Sequence, residues 1–123
     1  MEFDILSNKV IGCALQVHKQ LGPGLLESAY ECCLARELEL AEIPFKLQVP
    51  IPIHYKGEDL DCGYRIDILA EDTLLVELKS VQQFLSIYDA QILTYMKLAK
   101  IKIGLLINFN VELLKDGIKR FVL

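Results

Sequence analysis

Apolar residues recur three or four positions apart from Leu6 to Leu21, the spacing of an amphipathic helix. Gly22-Pro23-Gly24 then ends the stripe, because glycine adopts the left-handed conformation found after helices and proline cannot continue one. Helical periodicity resumes directly after Gly24, in LLESAYECCLARELEL. The pattern therefore predicts two helices that meet at a tight corner.

The middle of the chain changes to β-branched and aromatic residues, which favour strands. Residues 45–55 contain two prolines, so we predict a strand there that lies at a sheet edge or pairs irregularly. Residues 63–70 and 74–80 predict two further strands that are joined by a very short turn. A last, short strand is predicted at the end of the chain, in IKRFVL, after the Asp116-Gly117 turn.

Between these strands, helical spacing returns from Phe84 to Lys100, and the unbroken apolar run in KIGLLINFN predicts a strand buried on both faces. The predicted order is helix, helix, three strands, helix, two strands. A chain of 123 residues has the length of one ordinary domain. We therefore expect a single α/β domain over residues 1–123.

Composition narrows the class of protein. Hydrophobic residues make up 53% of the chain, but no apolar run approaches the length of a membrane span. The start of the chain, EFDILSNKV after Met1, carries acids where a secretory signal has a basic segment. We expect a cytoplasmic protein without a membrane partner.

The cysteines do not indicate a metal site. Cys13, Cys32, Cys33 and Cys62 form no CxxC pair, and the two histidines are far from ligand spacing, so zinc is not expected. Cys32 and Cys33 fall in an apolar helical pattern. We interpret them as small buried side chains in a reducing compartment.

Charge is unevenly distributed along the chain. The net charge is −4, with 6 basic and 14 acidic residues among residues 1–78 (−8) and 7 basic and 3 acidic residues among residues 79–123 (+4). The positive part could attract an anionic partner, although scattered surface lysines usually serve solubility alone.

Charged residues interrupt the two central strands. Side chains alternate along a strand, so the predicted core face of this pair carries Ile66, Ile68, Ala70, Leu74, Val76 and Leu78. The opposite face carries Arg65, Asp67, Glu77 and Lys79. Four charges on one side of two neighbouring strands require an explanation.

The turn decides which of these charges meet. With a loop at residues 71–73, Ala70 faces Leu74, Asp67 faces Glu77, and the other two charged residues face each other. A two-residue loop would shift the pairing and move the side chains to other partners. The first register brings two carboxylates together, which is unfavourable unless a cation lies between them.

Carboxylate oxygens suit Mg²⁺ or Mn²⁺, which keeps several waters and binds substrate phosphate. Lys79, on the same face as Glu77, would orient the attacking water or offset charge that develops on the phosphate. This constellation indicates phosphodiester hydrolysis. An ExK triplet alone is weak, because composition gives about 0.8 such matches by chance. The alternative explanation is a solvated sheet face with an ordinary charge network.

Two further signals favour the hydrolytic interpretation. Phe84, Tyr88, Gln91, Tyr95 and Leu98 form one stripe of the third helix, in which Gln91 and Tyr95 point their polar ends the same way. Local hydrogen bonding is the alternative explanation for this pair. Glu27 lies in the first turn of the second helix, where the helix dipole also favours an acid.

The chain contains the motifs GLLESAY, GYRID, VELKSV, AQILTY and GLLINFN, together with VHKQLGPGLLESAY and QVPIPIHYKG. Through these motifs it resembles the GxxExxY protein family, a branch of the PD-(D/E)xK nuclease superfamily. The resemblance covers nearly the whole chain. It implies a restriction-endonuclease-like α/β core, in which a central mixed sheet is flanked by helices. Ile66 departs from the pattern, because the superfamily name places proline there.

The resemblance also implies roles for individual residues. Asp67 and Glu77 would bind Mg²⁺ or Mn²⁺, Glu27 would complete the site from a helix, and Lys79 would be the catalytic lysine. Gln91 and Tyr95 would match the QxxxY element of RecB-like nucleases, which supports the active site or contacts DNA. We also place Arg65 and Tyr30 among the substrate-binding residues.

The resulting hypothesis is a Mg²⁺-dependent nuclease that acts on DNA. The alternative is a noncatalytic module that retains the fold and binds nucleic acid or a protein, an interpretation that the acidic first part of the chain favours. A third interpretation is a small interaction protein with an exposed charged hairpin. A homodimer through the strand at residues 45–55 or through the terminal strand is a further hypothesis.

Overall fold

A computed structural model describes residues 4–123 of the chain, and this part contains three α-helices and seven β-strands. A 3₁₀ turn at Leu114–Gly117 precedes the last strand. The elements in chain order are α1 Ile5–Leu21, α2 Glu27–Leu40, β1 Phe45–Pro50, β2 Ile53–Tyr55, β3 Glu58–Leu60, β4 Arg65–Ala70, β5 Leu74–Lys79, α3 Ser86–Ala99, β6 Ile103–Asn108 and β7 Ile118–Val122.

Five strands form one sheet in the order β1-β4-β5-β6-β7. Strands β5 and β6 pair in parallel, and the other neighbours pair antiparallel. Parallel neighbours require a crossover connection, and α3 provides it. The predicted α/β class with a central mixed sheet is confirmed. Strands β1 and β7 form the two edges, and pairing of copies through either edge stays a prediction.

Helices cover both faces of this sheet, and each face has its own core. One core joins α1 and α2 to the sheet through Val10, Tyr30, Leu34, Val76 and Leu105, among others. The second core joins α3 to the opposite face and includes Ile66, Leu75, Ile92, Met96 and Leu106. Strands β5 and β6 are buried on both sides, and for β6 the unbroken apolar run predicted this.

The corner between the first two helices differs slightly from its prediction. Gly22 has φ +66°, and its N–H donates a hydrogen bond to the carbonyl of His18, which ends α1. Helix α2 begins at Glu27 rather than directly after Gly24, because Leu26 is extended and serves as the residue before the first turn. Leu25 and Leu26 therefore belong to the corner, and both are exposed.

The strand predicted at residues 45–55 is two strands. Only β1 joins the main sheet, and it lies at an edge, as predicted from the prolines in this segment. Strand β2 turns away after Pro52 and pairs with β3, which the sequence analysis did not predict. The turn between them has positive φ at Lys56 and Gly57. These two short strands form a separate hairpin.

The predicted register of β4 and β5 is confirmed, because Ala70 pairs with Leu74 and Ile68 pairs with Val76. The predicted face is wrong for Ile66 and also for Asp67, which lines a pocket on the α2 side whereas Glu77 and Lys79 line one on the α3 side. Ile66 packs in the α3 core, whereas Ile68 packs in the opposite core, although the two residues are only two positions apart. Regular alternation is therefore broken at Asp67.

The interpretation of the cysteines is partly wrong. Cys32 is exposed and Cys33 is half-buried, because α2 packs through the face that carries Tyr30, Leu34 and Leu38. All four cysteines are free thiols. Among residues 4–123, no helix combines the length and the apolar character that crossing a membrane requires.

Candidate active site

Two carboxylates separate the strands β4 and β5 at one end of their pairing. The backbone ladder between these strands extends only as far as Ile68 and Val76. Beyond it, the N–H of Asp67 donates to Glu77 Oε1 at 3.1 Å, and the N–H of Leu78 donates to Asp67 Oδ2 at 2.8 Å. Each carboxylate thus accepts a backbone amide of the other strand. We call Asp67 and Glu77 the acid pair.

The edge strand β1 is also distorted at this position. Its pairing with β4 omits Gln48 and Asp67, and Gln48 has φ +52°, a conformation that non-glycine residues rarely adopt. The Gln48 side chain donates from Nε2 to Asp67 Oδ1 at 3.3 Å and to Glu31 Oε1. The Asp67 carboxylate therefore receives donors from both neighbouring strands.

Glu77 is the most perturbed acid in the described part of the chain. Burial, followed by the adjacent negative charge of Asp67, raises the pKa of Glu77 to about 8. The Asp67 amide and the Lys79 amine act in the opposite direction but do not offset burial. Without a cation, the Glu77 carboxyl therefore holds a proton at neutral pH.

The α3 side of the acid pair forms a small pocket. Its lining includes Glu77, Lys79, Tyr88, Gln91 and Tyr95, and we call it the Glu77 pocket. The Lys79 amine lies 4.6 Å from the centre of the Tyr88 ring, a cation–π contact. Burial raises the pKa of Tyr95, and the charges of Glu77 and Asp67 raise it further. The structure thus brings Lys79, Gln91 and Tyr95 beside Glu77.

The α2 side forms a second pocket of about 190 Å³, the Asp67 pocket, which is lined by Glu27, Ser28, Glu31, Gln48, Asp67 and Leu78. The Ser80 hydroxyl, just after β5, donates to the carbonyl of Leu25 at 2.6 Å. This bond holds the start of α2 against the end of β5. Glu27 is exposed in the first turn of that helix and lines the same pocket as Asp67.

Tyr30 has a structural position. Its side chain is fully buried and stacks on Phe109 with a ring separation of 4.4 Å. The hydroxyl donates to the Gly22 carbonyl at 2.6 Å and accepts the Leu25 N–H at 3.1 Å. A buried side chain with both hydrogen bonds made inside the protein cannot reach a substrate, so the prediction for Tyr30 is corrected. Tyr30 holds the corner that precedes Glu27.

Arg65 is the first residue of β4, and its guanidinium is engaged outside the acid pair. Its NH1 nitrogen donates to Asp61 Oδ1 at 3.1 Å and to the carbonyl of Tyr64 at 2.9 Å. The side chain is partly exposed. A contact between Arg65 and substrate stays a prediction.

Two residues of the site were not predicted from the sequence. Glu31 lies four residues after Glu27 and therefore on the same face of α2, which is the signal that could have found it. Burial raises the pKa of Glu31, and the Asp67 charge raises it further, while the bond from Gln48 lowers it. Gln48 is found only from the register of β1 against β4.

The donor set of the acid pair fits a divalent cation. Two adjacent carboxyl groups, one with a raised pKa, are stabilised when positive charge lies between them, and carboxylate oxygens are the ligands that Mg²⁺ and Mn²⁺ prefer. Within residues 4–123, no group of three or more histidine, cysteine, aspartate or glutamate side chains is arranged to hold a metal ion. Glu27 as a third ligand stays a prediction.

The fold and the acid pair define an α/β protein with paired carboxylates where two central strands separate. Comparison of the sequence with known protein families identifies this class of protein. The chain matches the family model of the PD-(D/E)XK nuclease superfamily over residues 4–121, nearly its whole length, and belongs to that superfamily. No curated protein and no solved structure matches the chain.

Proposed function

We propose that the protein hydrolyses phosphodiester bonds of DNA with Mg²⁺ or Mn²⁺ as its cofactor. One observation supports this most strongly: Asp67 and Glu77 meet between β4 and β5, and Lys79 lies in the same pocket as Glu77. Membership of a nuclease superfamily supports the same reaction type.

The position of each residue suggests its role in the proposed reaction. Asp67 and Glu77 would hold the cation, and Glu27 would complete its binding from the α2 side of the Asp67 pocket. A divalent cation supplies Lewis-acid stabilisation of a phosphoryl oxygen and lowers the pKa of bound water. The Lys79 amine would offset negative charge on the phosphate or orient the attacking water. Gln91 and Tyr95 would position the substrate beside Glu77.

Cation binding can be tested separately from catalysis. Because a ligand that binds only the folded state stabilises it, Mn²⁺ should raise the melting temperature of the native chain. Asp67→Asn and Glu77→Gln should remove the shift, since each removes one anionic ligand while keeping a similar shape. An unchanged melting temperature for the native chain in Mn²⁺ would contradict the proposed cation site.

Catalysis is tested with labelled single- and double-stranded DNA and RNA in Mg²⁺ or Mn²⁺. The native chain should cleave DNA, and Lys79→Ala should cleave it at least 10²-fold more slowly, the range expected for loss of one preorganised charge. Lys56→Ala is the matched control, because the Lys56 amine also stacks on a tyrosine ring, at 5.5 Å, but outside the site. Equal loss in both variants would contradict the role of Lys79.

A second candidate is a noncatalytic module that binds nucleic acid or a protein. The Gln48 amide favours it, because this N–H donor already occupies Asp67 Oδ1 and joins Asp67 to Glu31. A binding module would retain nucleic acid in EDTA and would leave it uncut in every metal. Cleavage that requires Lys79 excludes this candidate.

A further inference from the structure

A cavity of about 240 Å³ lies between α3 and the strand connections that precede β4. We call it the hairpin pocket. Its lining includes Ile53, Tyr64, Ile87, Gln91, Tyr95 and Leu98. Two of these residues, Gln91 and Tyr95, also line the Glu77 pocket. The cavity therefore borders the Glu77 pocket, on the side where α3 carries its polar residues.

The lining of the hairpin pocket combines flat apolar surface with polar groups. Ile87 is 55% exposed and Tyr64 is 42% exposed, so both present apolar surface to the cavity and to solvent. The rings of Tyr64 and Tyr95 lie 5.7 Å apart at an angle of 55°. The lining is mostly apolar, and three residues of α3, Gln91, Thr94 and Tyr95, add side chains that can form hydrogen bonds.

The backbone around Tyr64 is held in place although its side chain is exposed. The Tyr64 carbonyl accepts the N–H of Ile51 at 3.0 Å and Arg65 NH1 at 2.9 Å. Gly63, directly before it, has φ +86°, a conformation that suits glycine. The exposed ring is thus fixed at its base, as a preformed contact surface requires.

We propose that the hairpin pocket binds one unpaired nucleobase of a single-stranded nucleic acid, next to the site where a cation at the acid pair would bind the phosphate; this rests on the proposed function. Bases that have left a helix stack on aromatic side chains and form hydrogen bonds through their edges. An apolar peptide or a second copy of the chain would not use the three polar side chains of α3 that line this cavity. A duplex keeps its bases stacked, so the pocket selects single strands, ends or unpaired nucleotides.

The test measures binding without chemistry, in EDTA, by fluorescence anisotropy of a short labelled DNA strand. The native chain should bind the single strand more tightly than the matching duplex. Tyr64→Ala should weaken single-strand binding about 5- to 100-fold, the loss expected for one stacked base. Tyr64→Phe, which keeps the ring, should bind like the native chain. Ile87→Ala tests the opposite wall and should also weaken binding.

Tyr55→Ala is the matched control, because Tyr55, in β2, is 50% exposed but does not line the pocket. A set of strands, each with one abasic site at a different position, locates the base. At one position the abasic strand should bind native and Tyr64→Ala proteins equally. The base pocket is excluded if Tyr64→Ala weakens binding by the same factor with every abasic strand. It is also excluded if Tyr64→Ala leaves the binding affinity unchanged and alters only the sedimentation of the protein.

The two proposals fail in different ways. Base-dependent binding without cleavage in any metal would exclude hydrolysis and keep the pocket. Cleavage of DNA that is unchanged in Tyr64→Ala and Ile87→Ala, with unchanged single-strand affinity, would exclude the pocket and keep hydrolysis.

Discussion

The backbone N–H of Asp67 donates a hydrogen bond to the carboxylate of Glu77, and the Asp67 carboxylate accepts the N–H of Leu78 in return. The two acids thus take over the hydrogen bonds that strand pairing would otherwise make. A buried amide that loses its acceptor costs about 1–3 kcal/mol. Substitutions that test function must therefore keep an acceptor, as Asp67→Asn and Glu77→Gln do.

The first prediction concerns pH and the stability of the metal-free protein. The pKa of Glu77 is raised from 4.5 to about 8, so the folded state holds a proton that the unfolded state has released. This contribution to stability is fully present below pH 4.5 and is lost as pH rises through 8. We expect the free energy of unfolding, measured by urea denaturation in EDTA, to fall across this window, by up to about 1.4 kcal/mol per pH unit.

Glu77→Gln is the control for this pH dependence. A neutral amide cannot titrate, so its unfolding free energy should fall less with pH, and it should exceed that of the native chain above pH 8. Parallel pH profiles for the two proteins would contradict the raised pKa.

The second prediction concerns Gln48. Its amide and a bound cation compete for Asp67 Oδ1. Calorimetric titrations of Gln48→Ala should therefore show Mn²⁺ binding that is about two- to tenfold tighter, a factor that corresponds to the free energy of one partly exposed hydrogen bond. Gln20→Ala, an exposed substitution on α1, is the control. Weaker Mn²⁺ binding by Gln48→Ala would instead show that Gln48 positions Asp67 for the cation.

The third prediction concerns the corner before Glu27. Tyr30→Phe keeps the ring stacked on Phe109 but leaves the Gly22 carbonyl and the Leu25 N–H without their partner. Urea denaturation should show a loss of about 1–3 kcal/mol. Tyr55→Phe, at an exposed site, should be neutral. An unchanged unfolding free energy for Tyr30→Phe would show that the corner is held by other contacts.

The fourth prediction compares two glycines. A Cβ at Gly117 would clash with the backbone oxygen of Asn108, at the end of β6 beside Lys79, so Gly117→Ala must displace backbone and should cost about 1–3 kcal/mol or more. A Cβ at Gly12, inside α1, meets nothing within 4 Å. Gly12→Ala should stabilise the protein by about 0.5–1 kcal/mol. Thermal melts of the two variants should therefore shift in opposite directions.

The hairpin that carries the acid pair could be predicted from the sequence for a physical reason. Strand side chains alternate, and a three-residue turn allows few registers, so the apolar residues of β4 and β5 determine which residues meet. The same argument brought Asp67 towards Glu77. Helical spacing likewise predicted that Gln91 and Tyr95 share one side of α3.

Other parts of the site depend on tertiary distortions that local patterns do not record. Gln48 adopts a positive φ without being glycine or asparagine, and regular alternation fails where it meets Asp67. The faces of Ile66 and Asp67 could not be predicted for that reason. Spacing also cannot separate a buried tyrosine such as Tyr30 from an exposed one, because both fit a helical stripe.

Each carboxylate of the acid pair accepts a backbone N–H of the opposite strand, and this limits which mutations the protein tolerates. A mutation that deletes either side chain also leaves a backbone N–H of the central strands without its acceptor, so loss of a carboxylate is accompanied by loss of stability. Thermal scanning of a variant library would then identify substitutions in the acid pair by their lower melting temperatures.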